Sequence, residues 1–181
     1  MTALGLLAMA LSLRIVISDL YARRVPNTWL LAGAGVGAVL VAASALSSSF
    51  TDILPHLLGL LIGFAALIPF YAIRWMGAGD VKFFAVLGFL LGWQALLPVW
   101  IGASLLAGLH SVTVYVWRGV RGFLPMRAMS LQNQISDRLQ QRPALQTMQA
   151  ARQGRVGIPY AAYLGFAAIA WVLWSINGGS P

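Results

Sequence analysis

Two aspartates stand at the edges of apolar stretches in this sequence, where an ionisable side chain is costly and is therefore a candidate functional group. Asp19 lies near the end of the first apolar stretch, and Asp80 opens the fourth. Two carboxyls brought together in a partly dry site cannot both ionise cheaply, so such a pair shares a proton. One carboxyl can then act as a base towards water while the other acts as an acid towards a leaving group. This is the chemistry by which paired aspartates hydrolyse a peptide bond.

The composition of the chain excludes several other mechanisms. All four acidic residues are aspartates, at positions 19, 52, 80 and 137, and the sequence contains neither glutamate nor cysteine. Zinc chemistry of the H-E-x-x-H type, thiolate catalysis and structural disulfides are therefore excluded, and we expect no metal ion and no cofactor. The only lysine is Lys82 and no G-x-S-x-G motif is present, which argues against a serine or serine–lysine protease.

Long apolar segments must position the two carboxyls. The 181 residues are 60% hydrophobic and only 9% charged, a composition typical of a membrane protein rather than of a soluble domain. Short polar breaks separate the apolar segments. We therefore predict an all-α, polytopic membrane protein that forms a single domain over residues 1–181. Its six predicted transmembrane helices lie at about 3–22, 28–46, 53–74, 79–92, 94–117 and 157–176.

The fourth segment is short for crossing about 30 Å of hydrocarbon, and a re-entrant segment is the alternative. The basic residues decide between the two possibilities, because they cluster in alternate connections. If the fourth segment crosses, all of these connections lie on one side, which the positive-inside rule makes cytoplasmic. We therefore predict six crossings, with both termini outside and both aspartates near the cytoplasmic face. The basic residues in question are Arg23, Arg24, Arg74, Lys82 and the seven arginines from Arg118 to Arg155.

The connection at about 118–156 is the predicted cytoplasmic loop. Leu131, Ile135 and Leu139 recur at four-residue spacing, which is compatible with a short amphipathic helix on anionic headgroups. A flexible, solvated connector is the alternative for this segment.

Two motifs surround the aspartates. Asp80 is part of the sequence Gly77-Ala78-Gly79-Asp80-Val81-Lys82, in which the glycines permit unusual backbone angles and the close approach of a substrate chain. Asp19 is followed closely by Arg24-Val25-Pro26-Asn27, and Ile158-Pro159-Tyr160 opens the last apolar segment. In this order the motifs resemble those of the G-x-G-D intramembrane aspartyl proteases. The resemblance is closest to the short type IV prepilin peptidases of tight-adherence (Flp-type) pilus systems, and it extends over nearly the whole chain.

The resemblance implies a membrane aspartyl endopeptidase that removes the leader peptide of Flp-like prepilins at the cytoplasmic face of the bacterial inner membrane. Prepilins and the lipid bilayer are the implied partners, together with the pilus assembly machinery, and no nucleic acid is expected. The C-x-x-C pairs of the bifunctional relatives are absent, so we do not expect N-methyltransferase activity. The resemblance implies Asp19 and Asp80 as the catalytic pair, with Gly77, Gly79, Lys82, Arg24, Pro26 and Asn27 binding substrate or shaping the site.

Two other classes of function compete with this one. A small proton- or cation-coupled transporter could use the two aspartates as a relay, although both are predicted near one face rather than at the midplane where carrier sites concentrate. A non-catalytic assembly subunit is the second alternative, but a glycine-rich carboxylate site would serve no purpose in it.

Several polar residues also have a purely structural interpretation. Asp80 could cap its own helix, where the helix dipole favours a negative charge. Lys82 could anchor its segment at the cytoplasmic face, and Arg14 could snorkel or bind a structural partner. His110, within the fifth segment, could form an interhelical hydrogen bond.

The distribution of Lys and Arg generates a topological prediction. Reporters of cytoplasmic or external location, fused after Gly122 and after Ser48, are expected to give opposite signals, because an odd number of crossings separates the two positions. Equal signals from both fusions would exclude the model with six crossings.

Overall fold

The computed structural model describes residues 3–47, 53–121, 142–152 and 158–178. Within these ranges the regular elements are all helices, which confirms the predicted all-α class. A short 3-10 turn at Trp93–Ala95 precedes the fifth helix. The described residues form the α-helices α1 (Ala3–Ala22), α2 (Asn27–Ser47), α3 (Leu54–Ala72), α4 (Ala78–Leu91), α5 (Leu96–Arg121), α6 (Pro143–Arg152) and α7 (Tyr160–Ile176).

Each of the six predicted segments coincides with one of these helices. By length and apolar composition, α1, α2, α3 and α5 can cross a membrane, and α7 is an apolar helix of 17 residues. The 14 residues of α4 reach about 21 Å at the helical rise of 1.5 Å per residue. The predicted loop at 118–156 contains the end of α5 and all of α6. The predicted amphipathic helix around Leu131–Leu139 lies outside the described residues.

Proline and glycine mark several of the helix ends. Pro26 directly precedes α2, and Pro55 occupies the first turn of α3, where its missing N–H costs no hydrogen bond. At the end of α4, Gly92 adopts a φ of 85°, a left-handed conformation that glycine reaches without strain. This residue lets the chain leave α4 sharply and begin the turn towards α5.

Helix α4 forms the centre of the bundle, where it contacts α1, α2, α3, α5 and α7. Its side chains from Phe83 to Leu90 are all buried, as is Val81. A helix that is apolar all round is stable only when other helices surround it. The enclosure of α4 fixes Asp80, in its first turn, at one end of the bundle and among the neighbouring helices.

Helix α1 directs Asp19 towards α7. Its buried residues recur every three or four positions, which places them on one face of the helix, and Asp19 continues that face. Gly165 of α7 packs against this face so closely that a Cβ atom there would lie 2.5 Å from Cγ2 of Val16. The buried residues of the α1 face are Gly5, Ala8, Leu11, Ser12, Ile15, Val16 and Asp19.

Helices α3 and α4 approach each other through a pair of glycines. A Cβ atom at Gly59 would overlap the carbonyl oxygen of Gly88, and a Cβ atom at Gly88 would overlap the carbonyl oxygen of Gly59. Small residues of this kind let helix backbones pack closely in a membrane, where van der Waals contact rather than hydrophobic burial drives association.

We expect Gly88→Ala to destabilise the protein, because the added methyl group must push α3 away from α4. Overpacking of this kind costs about 1–3 kcal/mol. The measurement is the midpoint of thermal unfolding in detergent micelles, with Gly35→Ala as the matched control because nothing lies within 4 Å of that position. Equal midpoints for the two variants would contradict the close α3–α4 contact.

Candidate active site

The two aspartates meet at the beginning of α7. The backbone N–H of Ala162 donates a hydrogen bond of 3.0 Å to Oδ2 of Asp19, which is 7% exposed. The N–H of the preceding residue, Ala161, is hydrogen-bonded to the carboxyl of Asp80. Asp80 also accepts a 3.1 Å hydrogen bond from the N–H of Gly77, so it caps its own helix as well. Two consecutive N–H groups of α7 thus bind one carboxyl each.

This arrangement brings together two side chains that are far apart in the sequence. Asp80 and Asp19 are close enough for their charges to interact. The N-terminus of a helix carries unpaired N–H groups and a partial positive charge, and it therefore suits negatively charged groups. The start of α7 both holds the two carboxyls near each other and compensates part of their charge. The structure thus brings Asp19 and Asp80 to the same end of α7.

An arginine and two tyrosines lie beside the pair. Arg23 interacts electrostatically with Asp19 and with Tyr163, and Tyr163 in turn with Asp19. Tyr160 interacts with Asp80, and its hydroxyl lies 3.1 Å from Oγ of Ser104 on α5. These residues place one positive charge and two phenolic hydroxyls around the carboxyls.

The two sequence motifs contact each other in space. Gly79 packs against Val25, where a Cβ atom on the glycine would lie 2.8 Å from Cβ of Val25. Nζ of Lys82 donates a hydrogen bond of 3.4 Å to Oδ1 of Asn27. The connection from α1 to α2 therefore packs directly on the first turns of α4. The glycine leaves the space that the side chain of Val25 occupies.

A comparison of the sequence with models of known protein families identifies the family of this chain. Residues 6–112, more than half of the chain, match the type IV leader peptidase family. The chain belongs to this family. The match includes both aspartates and their motifs but ends before α7, which binds the carboxyls. Neither the search of curated proteins nor the search of solved structures found a match.

The remaining predicted site residues have other contacts than those of the pair. Lys82 lies about 200° around α4 from Asp80, so it faces α2 while Asp80 faces α1 and α7. The side chain of Arg24 is exposed, and its carbonyl accepts a hydrogen bond of 2.9 Å from Ser18. The carbonyl of Pro26 accepts a hydrogen bond from the N–H of Leu30 in the first turn of α2.

Two other polar residues of the spans have structural contacts. The guanidinium of Arg14 lies 4.8 Å from the ring centroid of Trp29, a cation–π contact between α1 and α2. The ring of His110 lies 6.0 Å from that of Tyr163, so this histidine contacts α7 through an aromatic pair. Asp52 and Asp137 lie outside the described residues.

Helix α6 contacts the end of α1 next to Asp19. The guanidinium of Arg152 donates hydrogen bonds to the carbonyls of Leu20 at 2.8 Å and Tyr21 at 3.4 Å. Carbonyl groups in the last turn of a helix lack partners within the helix, and a cation there is favourable. Arg152 therefore fixes the end of α1 that carries Asp19.

The described residues bring two carboxyls, backbone N–H groups and hydroxyls to the site. In the part of the chain that the structure describes, no group of three or more His, Cys, Asp or Glu side chains could hold a metal ion. The site instead offers paired carboxyls beside backbone N–H groups and hydroxyls, which suits acid–base hydrolysis.

We expect Gly79→Ala to lower the rate of leader-peptide cleavage strongly, because its methyl group must displace Val25 and with it the start of α4. Gly77→Ala is expected to have a smaller effect, since its Cβ atom would lie 3.3 Å from Oδ2 of Asp80, and a movement of a few tenths of an ångström relieves such a contact. The measurement is the cleavage rate in membranes at matched expression, with Gly35→Ala as the neutral control. A Gly79→Ala variant as active as this control would show that the contact with Val25 is dispensable.

Proposed function

We propose that this member of the leader peptidase family is an aspartyl endopeptidase in which Asp19 and Asp80 form the catalytic pair. One observation carries the proposal: consecutive N–H groups of α7, from Ala161 and Ala162, bind the two carboxyls. This contact holds together two ionisable groups that would otherwise repel each other. A pair of merely interfacial aspartates would need no such shared anchor.

The proposed reaction is general acid–base hydrolysis of a peptide bond. One carboxylate of the pair accepts a proton from a water molecule, whose oxygen then attacks the carbonyl carbon of the scissile bond. The neighbouring carboxyl, which carries the shared proton, donates it to the leaving amine as the C–N bond breaks. The water thus contributes its oxygen to the new carboxyl end, and the pair is ready for another cycle once its protons have exchanged.

The remaining residues of the two motifs have supporting roles in this proposal. Gly79 leaves space for the side chain of Val25 at the start of α4, and Gly77 leaves space for the carboxyl of Asp80. Lys82 and Asn27 join α4 to α2 through their hydrogen bond. Arg24 and Pro26 shape the connection that packs against α4, so that Asp80 keeps a fixed position relative to Asp19.

The proposed substrates are Flp-like prepilins, cleaved at the cytoplasmic face of a bacterial inner membrane. In this proposal the protein crosses the membrane six times, and the residues between α5 and α7 lie in the cytoplasm. The contacts of the aspartates support this orientation, because they bring the end of α1 and the starts of α4 and α7 to one level of the bundle. The same level carries Arg23 and Lys82, as the positive-inside rule requires of the cytoplasmic side.

We expect Asp19→Asn and Asp80→Asn each to lower the rate of prepilin conversion by at least about 10²-fold. Asparagine keeps the size of the side chain but can neither share the proton nor act as a base. Because the two residues act as one unit, the double variant should be hardly slower than either single variant. The measurement is the conversion rate of a prepilin in membranes at matched expression.

Asp52→Asn and Asp137→Asn are the controls, since neither residue belongs to the proposed pair, and both variants should remain active. The thermal unfolding midpoint of each variant in detergent separates loss of catalysis from loss of the fold. Wild-type rates in a folded Asp19→Asn or Asp80→Asn variant would rule out the pair and favour the transporter hypothesis.

A further inference from the structure

The last turn of α1, which carries Asp19, receives hydrogen bonds from another part of the chain. The carbonyl of Asp19 accepts a hydrogen bond of 3.0 Å from the N–H of Arg23, whose φ of 52° ends the helix. The last carbonyls of a helix have no partner within the helix itself. For Leu20 and Tyr21, the guanidinium of Arg152 supplies the donors, at 2.8 Å and 3.4 Å. The end of α1 is therefore completed by a residue of α6.

Helix α6 packs on α1 through one face, and Arg152 lies at the end of that face. Among the described helices, α6 contacts mainly α1. The half-buried side chains of α6 recur every three or four residues, so they share one face of the helix, and this is the face that packs on α1. They are Leu145, Met148, Ala151 and Arg152. The packing of a whole helix therefore holds the guanidinium at the end of α1.

Arg152 and the start of α7 hold Asp19 at two different points. Arg152 binds the carbonyl of the residue after Asp19, and the N–H of Ala162 binds the carboxyl. Arg152 and Ala162 are ten residues apart in the chain. Both follow residue 112, where the match to the leader peptidase family ends. The two contacts therefore come from one short stretch that the family match does not include.

We propose that Arg152 is a positioning residue for peptide-bond cleavage, which holds Asp19 in place through the carbonyls of Leu20 and Tyr21. This inference rests on the proposed function and adds a residue between α5 and α7 to the elements that support the site. In this role Arg152 acts on the backbone of α1 and takes no part in the proton transfers.

The short covalent path from the contact to the carboxyl supports this role. A single planar peptide unit joins Asp19 to Leu20, so a shift of the Leu20 backbone also moves the Cα atom of Asp19. Misplacing a catalytic group by about 1 Å can lower a rate by about 10²-fold. Such a change affects the chemical step, so kcat falls while KM stays nearly the same.

A cation on the cytoplasmic side could instead bind anionic lipid headgroups. In this structure Nη2 and Nε of Arg152 donate to the two carbonyls of α1, which favours the positioning role. Arg142, at the other end of α6, offers a matched comparison. Its side chain is exposed, and its carbonyl accepts the hydrogen bonds that begin α6.

The first test compares Arg152→Gln with Arg142→Gln, since each removes one positive charge from α6 or its start. In liposomes with a tight-adherence prepilin, we expect kcat of Arg152→Gln to fall about tenfold with KM within about twofold of the wild-type value. Arg142→Gln should match the wild type in both constants. Arg152→Lys keeps a cation that can reach one carbonyl, so its kcat should lie within about threefold of the wild-type value.

Hydrogen–deuterium exchange gives a second readout, which does not require activity. The N–H groups in the last turn of α1 should exchange about tenfold faster in Arg152→Gln than in the wild type, because that turn opens more often. In Arg142→Gln they should exchange at the wild-type rate. Unfolding midpoints of the two variants in detergent should agree, since the change is confined to one helix end.

Several outcomes would overturn the positioning role. They are equal kcat values for the two glutamine variants, a fall in kcat with unchanged exchange, and a lysine variant no faster than Arg152→Gln. Global unfolding of Arg152→Gln would also overturn it, because Arg152 would then support the fold rather than the site. No cleavage by the wild-type chain would instead overturn the proposed function, and the positioning role with it.

Discussion

The contact between the first turn of α7 and the two aspartates is the constraint on which the rest of the structure depends. A carboxyl withdrawn from water inside an apolar bundle is costly unless hydrogen bonds replace its hydration. The first N–H groups of a helix also need acceptors, because the helix itself provides none. The hydrogen bonds of Ala161 and Ala162 to Asp80 and Asp19 meet both requirements at once. They fix the positions of α1, α4 and α7 relative to one another at this end of the bundle.

Close packing between small residues makes that contact possible. Gly165 lets α7 approach the buried face of α1, and Gly59 with Gly88 lets α3 lie directly on α4. In a membrane such contacts replace the hydrophobic effect as the source of association between helices. Arg152 adds a polar contact at the end of α1, so the segment carrying Asp19 is held from both sides.

The sequence predicted those parts of this arrangement that depend on the order of apolar and charged side chains along the chain. Apolar segments located the helices, and the alternation of basic connections placed Asp19 and Asp80 at the same end. The binding partners of the carboxyls were not predictable, because Ala161 and Ala162 act through backbone N–H groups that any residue except proline could supply. Arg23 was missed as a neighbour of Asp19, although its spacing of four residues from Asp19 along the chain would have suggested the contact.

The contact between α1 and α7 also determines the surroundings of the carboxyls. Gly165 lets α7 pack on Ser12 and Val16, and this contact closes one side of the bundle beside Asp19. Because little water reaches a side chain that is 7% exposed, sharing one proton between the two carboxyls costs less than ionising both. The same helices therefore bring the pair together and give it the partly dry environment that the proposed acid–base reaction needs.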